Sequence, residues 1–196
     1  MVEADKLAEY IAILDQSVER LERFSLSALQ ITEFKAGNRV VHKMNLKVKS
    51  HIEKSVTRLK NKIHKKRLHV LYNLNDDISI NADPELFENC IYEIIDNAID
   101  HSPENGKIVI NIYSTEPDKV TIETLDSGEG FEQKILNNPF KFFVKSDRFI
   151  GKNIGFDLAY VKLIIDAHSG NIELSNTTEG GACVRLILDQ GTILNP

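Results

Sequence analysis

Cysteine is scarce in this sequence: Cys90 and Cys183 are the only two among 196 residues. Both lie inside apolar patterns, so buried free thiols are expected rather than a disulfide or a metal pair. Free thiols imply a reducing, cytoplasmic setting. Long apolar runs are absent too. None approaches the roughly 18–20 residues that a bilayer-spanning helix requires, so no membrane contact by this chain is expected. The opening residues, MVEADKLAEY, have no basic stretch followed by an apolar one, so no signal peptide is expected. Basic charge is in the minority: 24 Lys and Arg against 29 Asp and Glu give a formal net charge of -5. That balance argues against a nucleic-acid or anionic-membrane partner. Internal repeats and low-complexity tracts are also missing.

What is present begins with a helix over about 5–36. Leu7, Ile11, Leu14, Val18, Leu21, Ser25 and Ala28 alternate spacings of four and three, a heptad seam. Tyr10, Phe24, Ile31 and Phe34 widen the apolar face. Such a face needs a partner helix, from the same chain or from a second copy. Gly37-Asn38 should end the helix. The segment 39–66 reads as a connector and a second helix. It is rich in Lys and Arg, yet it lacks the interleaved aromatics of a nucleic-acid site, so a solvated basic face is expected.

Strands and helices then mix. Short strands are expected over 68–74 and 78–81. Asp83-Pro84 opens a helix as N-cap and first-turn proline, running to about His101. Runs 107–114 and 119–125 form a hairpin about Glu116-Pro117-Asp118. A glycine loop and a short helical stretch follow, then a helix over 155–168 closed by Ser169-Gly170. Strands 171–176 and 182–188 flank Glu179-Gly180-Gly181. These elements predict an α+β fold, a two-layer α/β sandwich whose mixed sheet carries helices on one face. The expected divisions are 1–38, 39–66, 67–189 and a tail, 190–196.

Three constellations carry chemistry. On the helix from Pro84, the residues Glu93, Asn97 and His101 recur at four-residue spacing on one stripe. A carboxylate and an amide in line suit magnesium, which takes few protein oxygens and draws the rest from phosphates and water. Asp126-Ser127-Gly128-Glu129-Gly130 directly follows a strand. Its carboxylate can accept from an exocyclic amine, and its glycines admit a planar ligand. Gly151-Lys152-Asn153-Ile154-Gly155 enters a helix whose first N–H groups and positive dipole end suit a phosphate, with Lys145 and Arg148 nearby. Each taken alone also describes a plain turn or a solvated helix face.

Their order along the chain resembles the histidine kinase branch of the GHKL ATPases. EIIDNAIDHS looks like the family's N box, DSGEG its first glycine box and PFKFF its F box. GKNIGFDLAYVKLIIDAHSGNIEL looks like the second glycine box with the helix and strand that follow. The resemblance covers roughly 67–188, and LSALQITEFKAG looks like the second helix of the dimerisation and phosphotransfer hairpin. It implies a Bergerat-type ATP-binding fold and a sensor histidine kinase that uses ATP and magnesium, with a response regulator or receiver domain as partner. It also implies a homodimer of the parent protein through the N-terminal helix. Asn97 and Glu93 would serve catalysis and the metal. Asp126 would bind the adenine amine, with Gly128 and Gly130 shaping the base pocket. Phe140, Phe143, Lys145, Gly151, Lys152, Gly155 and Leu158 would complete the nucleotide site and its lid.

Three departures accompany the resemblance. None of His42, His51, His64, His69, His101 and His168 has the acidic context of a phosphoacceptor, so the first hairpin helix is expected to lie outside this chain, as in a truncated piece of a longer protein. Asp100 stands where relatives often carry Lys or Arg near the phosphates, and a carboxylate there would repel a triphosphate unless a metal intervenes. Asn153 and Asp157 stand where glycine is common. These departures keep two alternatives open: a non-catalytic member acting as a dimeric docking or phosphotransfer adaptor, and an anti-sigma-type serine kinase.

Overall fold

The computed structural model describes residues 2–74, 78–116, 118–141 and 157–191. The chain divides into two compact units, 1–39 and 40–196. The first is one long helix, α1 (Val2–Lys35). Gly37 N donates to Phe34 O at 3.1 Å and Asn38 N to Glu33 O at 3.0 Å, the paired closing bonds expected of a glycine-terminated helix. Leu7, Ile11, Leu14, Val18 and Leu21 of the heptad seam are each at least half exposed.

The second unit holds every other element. The segment read from sequence as connector and helix supplies β1 (Met44–Lys47) and α2 (Val48–Lys65). The sequence reading did not anticipate β1. It pairs antiparallel with β3 (Ser79–Ala82), and Leu46 and Ile80 face each other in register and are buried. The main sheet comprises β2 (His69–Asn73), β4 (Lys107–Glu116), β5 (Lys119–Asp126), β6 (Asn171–Asn176) and β7 (Ala182–Asp189). Its order is β2-β4-β5-β7-β6; β2 and β4 run parallel and the other pairs antiparallel. The helices are α3 (Pro84–His101), the short α4 (Gln133–Asn137) and α5 (Asp157–Ala167).

Period-two alternation builds the core. Ile108, Ile110 and Ile112 of β4, Val120 and Ile122 of β5, and Leu186 and Leu188 of β7 are buried. Ile91, Ile94, Ile95, Ala98 and Ile99 of α3 and Val161, Ile164 and Ile165 of α5 are buried with them. One helix layer on a mixed sheet is therefore the expected sandwich. On the alternate register, Asn73, Asn111, Glu123, Arg185 and Glu173 form one row across all five strands. Asn111 Nδ2 and Arg185 Nε donate to Glu123 at 2.8 and 2.7 Å. Burial pushes the Glu123 carboxyl up, but these donors and the Arg185 charge outweigh it and hold it below the usual carboxylate range. Cys90 and Cys183 are buried free thiols, as expected.

Candidate functional site

The helix start at Asp83 forms as its residue types predict. Asp83 Oδ1 accepts from Glu85 N and Leu86 N, each at 3.1 Å, and Pro84 occupies the first turn. His168, at the end of α5, braces this cap. Its Nε2 accepts from Asp83 N at 2.9 Å while Nδ1 faces Ile164 O at 2.7 Å. That pairing requires the proton on Nδ1 and a neutral ring. Burial lowers the His168 pKa, with the Lys43 charge adding to it.

From this fixed start α3 carries Glu93 and Asn97, both partly buried, toward its C-terminal turn. Among the described residues no group of three or more His, Cys, Asp and Glu could hold a metal. The oxygen donors of Glu93 and Asn97 fit magnesium of the kind that takes only one or two protein ligands.

Asp126 ends β5. Its Oδ1 accepts from Gly128 N at 2.8 Å and from Ala182 N at 3.1 Å. Both bonds go to one oxygen, so Oδ2 has no hydrogen bond among the described residues. Burial raises the Asp126 pKa against the opposing pull of those two amides and of His101. The result is an oriented acceptor at a strand end, suited to one N–H donor of a ligand. Gly128 packs directly on α3: a Cβ there would lie 2.5 Å from His101 O. Gly130 has φ +75, and a Cβ would meet Asn176 Oδ1 at 2.7 Å.

Several residues that hold this loop escaped the sequence reading. Asn176 clamps Phe131 at both backbone groups, accepting from its N at 2.7 Å and donating to its O at 3.0 Å. Gly181, with φ +82, passes so close to Asp126 that any Cβ would overlap the Asp126 carbonyl oxygen. Ser127 Oγ accepts from Lys107 N at 2.7 Å. Asn176 stands 45 residues from its partner, and the only local signal was the glycine turn that follows it.

The remaining sequence-named residues divide. Phe140 is partly buried, with Lys162 Nζ of α5 at 5.8 Å from its ring centre, and Leu158 lies partly buried in the first turn of α5. Phe143, Lys145, Arg148, Gly151, Lys152, Asn153 and Gly155 lie outside the described residues. Asp100 is no isolated negative charge: Lys62 Nζ lies 3.7 Å from its Oδ1 and also pairs with Asp96. Asp157 is the first residue of α5, where a carboxylate suits the positive helix end. The basic face of α2 is exposed at Lys54, Arg58, Lys60 and Lys65, as expected, while Lys54, Arg58 and Lys62 also pair with carboxylates of α3.

Comparison with known proteins places this geometry. The family described as histidine kinase-, DNA gyrase B-, and HSP90-like ATPase matches residues 82–192. "Sensor protein KdpD" of Clostridium acetobutylicum is 31% identical over 187 residues, which is 93% of this chain and 20% of that protein. The chain thus spans about a fifth of that relative's length. The nucleotide-free catalytic domain of histidine kinase ThkA superposes with a TM-score of 0.68 at 22% identity, covering 76% of this chain and 98% of that one. ThkA in complex with response regulator protein TrrA gives a TM-score of 0.77 at 22% identity, covering 96% of this chain and 53% of that one. These two likenesses are of fold.

Proposed function

The chain belongs to the histidine kinase-, DNA gyrase B-, and HSP90-like ATPase family, and from that premise we propose that it is the ATP-binding catalytic part of a two-component sensor histidine kinase. In this reading it passes the γ-phosphoryl group of ATP to a histidine on a partner helix. The carrying observation is Asp126, whose Oδ1 is pinned by two backbone amides and whose Oδ2 is left to receive an exocyclic amine. Adenine presents such an amine. Gly128 and Gly130 keep the wall flat, since a side chain at either would collide with His101 O or Asn176.

Glu93 and Asn97 would hold magnesium, which neutralises phosphate charge when bound. Their shared helix keeps both donors on one stripe. Pairing of Asp100 with Lys62 reduces the repulsion that a carboxylate there would otherwise impose. That pairing favours the kinase over the nucleotide-free adaptor. Phosphoryl transfer depends on position and charge stabilisation more than on covalent protein chemistry, which suits a site of amides, a carboxylate and a metal. A response regulator as partner is supported by the ThkA–TrrA complex. Self-association through α1 is supported by its exposed seam.

Calorimetric titration with ATP and a non-hydrolysable analogue, with and without magnesium, tests the reading. Magnesium-dependent binding that Asn97→Ala weakens about tenfold or more is the expected result. Absence of binding at millimolar nucleotide would overturn it.

A further inference from the structure

Four cations of α2 and its cap recur at four-residue intervals: Lys54, Arg58, Lys62 and Lys66. All four meet α3. Lys54 Nζ and Arg58 Nη1 lie 2.5 and 3.0 Å from Glu88, and the Arg58 guanidinium lies 4.5 Å over the Tyr92 ring. Lys62 pairs with Asp96 and Asp100. The α3 partners Glu88, Tyr92, Asp96 and Asp100 repeat at the same interval, so the two stripes fix one helix against the other.

Lys66 ends the stripe on backbone. Its Nζ donates to Ile99 O at 2.7 Å and to Asp100 O and Ser102 O, each at 2.8 Å. An ammonium has three protons, and the last carbonyls of a helix lack intrahelical donors and carry the negative dipole end. Among these three acceptors sits His101, whose own carbonyl oxygen lies only 2.5 Å from where a Cβ on Gly128 would stand. The backbone repeats the connection: Asn105 N donates to Lys66 O at 2.9 Å and, two residues on, Lys107 N donates to Ser127 Oγ at 2.7 Å.

We propose that Lys66 is a positioning residue for nucleobase recognition. It gathers the carbonyls of the last α3 turn, so that His101 O seats Gly128 and the Gly128 amide orients Asp126. The residue touches no nucleotide and acts through α3. This rests on the reading of Asp126 as the acceptor of the adenine amine.

Lys66→Met keeps the apolar stem and removes the three donors. ATP carries an amine where ITP carries a carbonyl, so the ratio of their affinities reports the Asp126 alignment. The expected result is an ATP-over-ITP preference reduced about tenfold in Lys66→Met, with affinity for magnesium tripolyphosphate unchanged and partial recovery in Lys66→Arg. Two results overturn the proposal: a wild-type preference in Lys66→Met, or an equal loss for ATP, ITP and tripolyphosphate, which marks general destabilisation. If the wild-type chain fails to separate ATP from ITP, the adenine reading fails by itself. Amide hydrogen exchange without nucleotide then decides the positioning. Faster exchange at 126–130, with β6 and β7 protected as before, supports the role of Lys66; unchanged exchange there removes it. Should Lys66→Met not fold, Lys66→Gln, with two donors, undergoes the same measurements.

Discussion

Substituting Asp126 by Asn replaces one carboxylate oxygen by an amide nitrogen and should invert the base preference of the site. Asp126 Oδ1 takes hydrogen bonds from Gly128 N and Ala182 N at 2.8 and 3.1 Å. An asparagine can keep both only by placing its carbonyl oxygen there. Its amide nitrogen then occupies the Oδ2 position and offers a donor to the adenine amine, itself a donor. A charge-assisted hydrogen bond contributes about 1.5–3 kcal/mol, and an unmatched donor adds to the loss. At about 1.4 kcal/mol per factor of ten, ATP affinity should fall roughly thirty- to hundredfold. ITP, with a carbonyl at the same position, should bind the variant better than it binds the wild type. Parallel calorimetric titrations with both nucleotides supply the numbers, and thermal melting checks the fold. A folded Asp126→Asn variant that binds ATP within about threefold of wild type would refute the assignment of Oδ2 as the reading atom. If the asparagine turned over instead, its amide would face two backbone donors, and the melting temperature would report that loss.

Gly181→Ala should destabilise the second unit by at least about 2 kcal/mol, read as a lower urea midpoint, because a positive φ is costly for alanine and its Cβ would overlap the Asp126 carbonyl. Stability should also fall with acid. His168 is held neutral in the fold below its ordinary value of 6.5, so the unfolded chain binds more protons in that window. The full contribution is present above pH 6.5 and is lost as pH falls toward the lowered folded value. Urea unfolding at about pH 7.5 and about pH 5.5 should show this loss, and His168→Gln should reduce it. His51, whose pKa burial also lowers, will keep part of the dependence; an unaltered slope in His168→Gln would exclude the hydrogen bond to Asp83 as its source.

Much of the architecture was legible because it depends on local rules. Asp83-Pro84 announced a capped helix, and α3 begins there with both amides of its first turn bound. Alternating residues announced β4 and β5; the isoleucines of β4 are buried in that alternation, while β5 is buried continuously over 120–124. Short β1 was missed because Met44–Lys47 has only one buried position, Leu46, and its strand identity comes from pairing with β3 about 35 residues away. At the site, the residue types of Glu93, Asn97, Asp126, Gly128 and Gly130 were readable as motifs. Their supports were not. Asn176, Gly181 and Ala182 lie some 45–56 residues from what they hold, and no periodicity links them to it.

Sequence alone determined which segments could be helix or strand, which face of each was apolar, and that an acidic strand end with two glycines would be available to a ligand. Those properties follow from side-chain volume, charge and backbone freedom within a few residues. Only the tertiary structure decided that both amide donors to Asp126 fall on Oδ1, with Oδ2 unbonded among the described residues, that Asp100 faces Lys62, and that Lys66 collects the carbonyls at the end of α3. Each of these is a hydrogen bond or ion pair between elements distant in sequence. Its partner is fixed by how the sheet and helices pack, because directional polar contacts form only where packing brings donor and acceptor within about 3 Å.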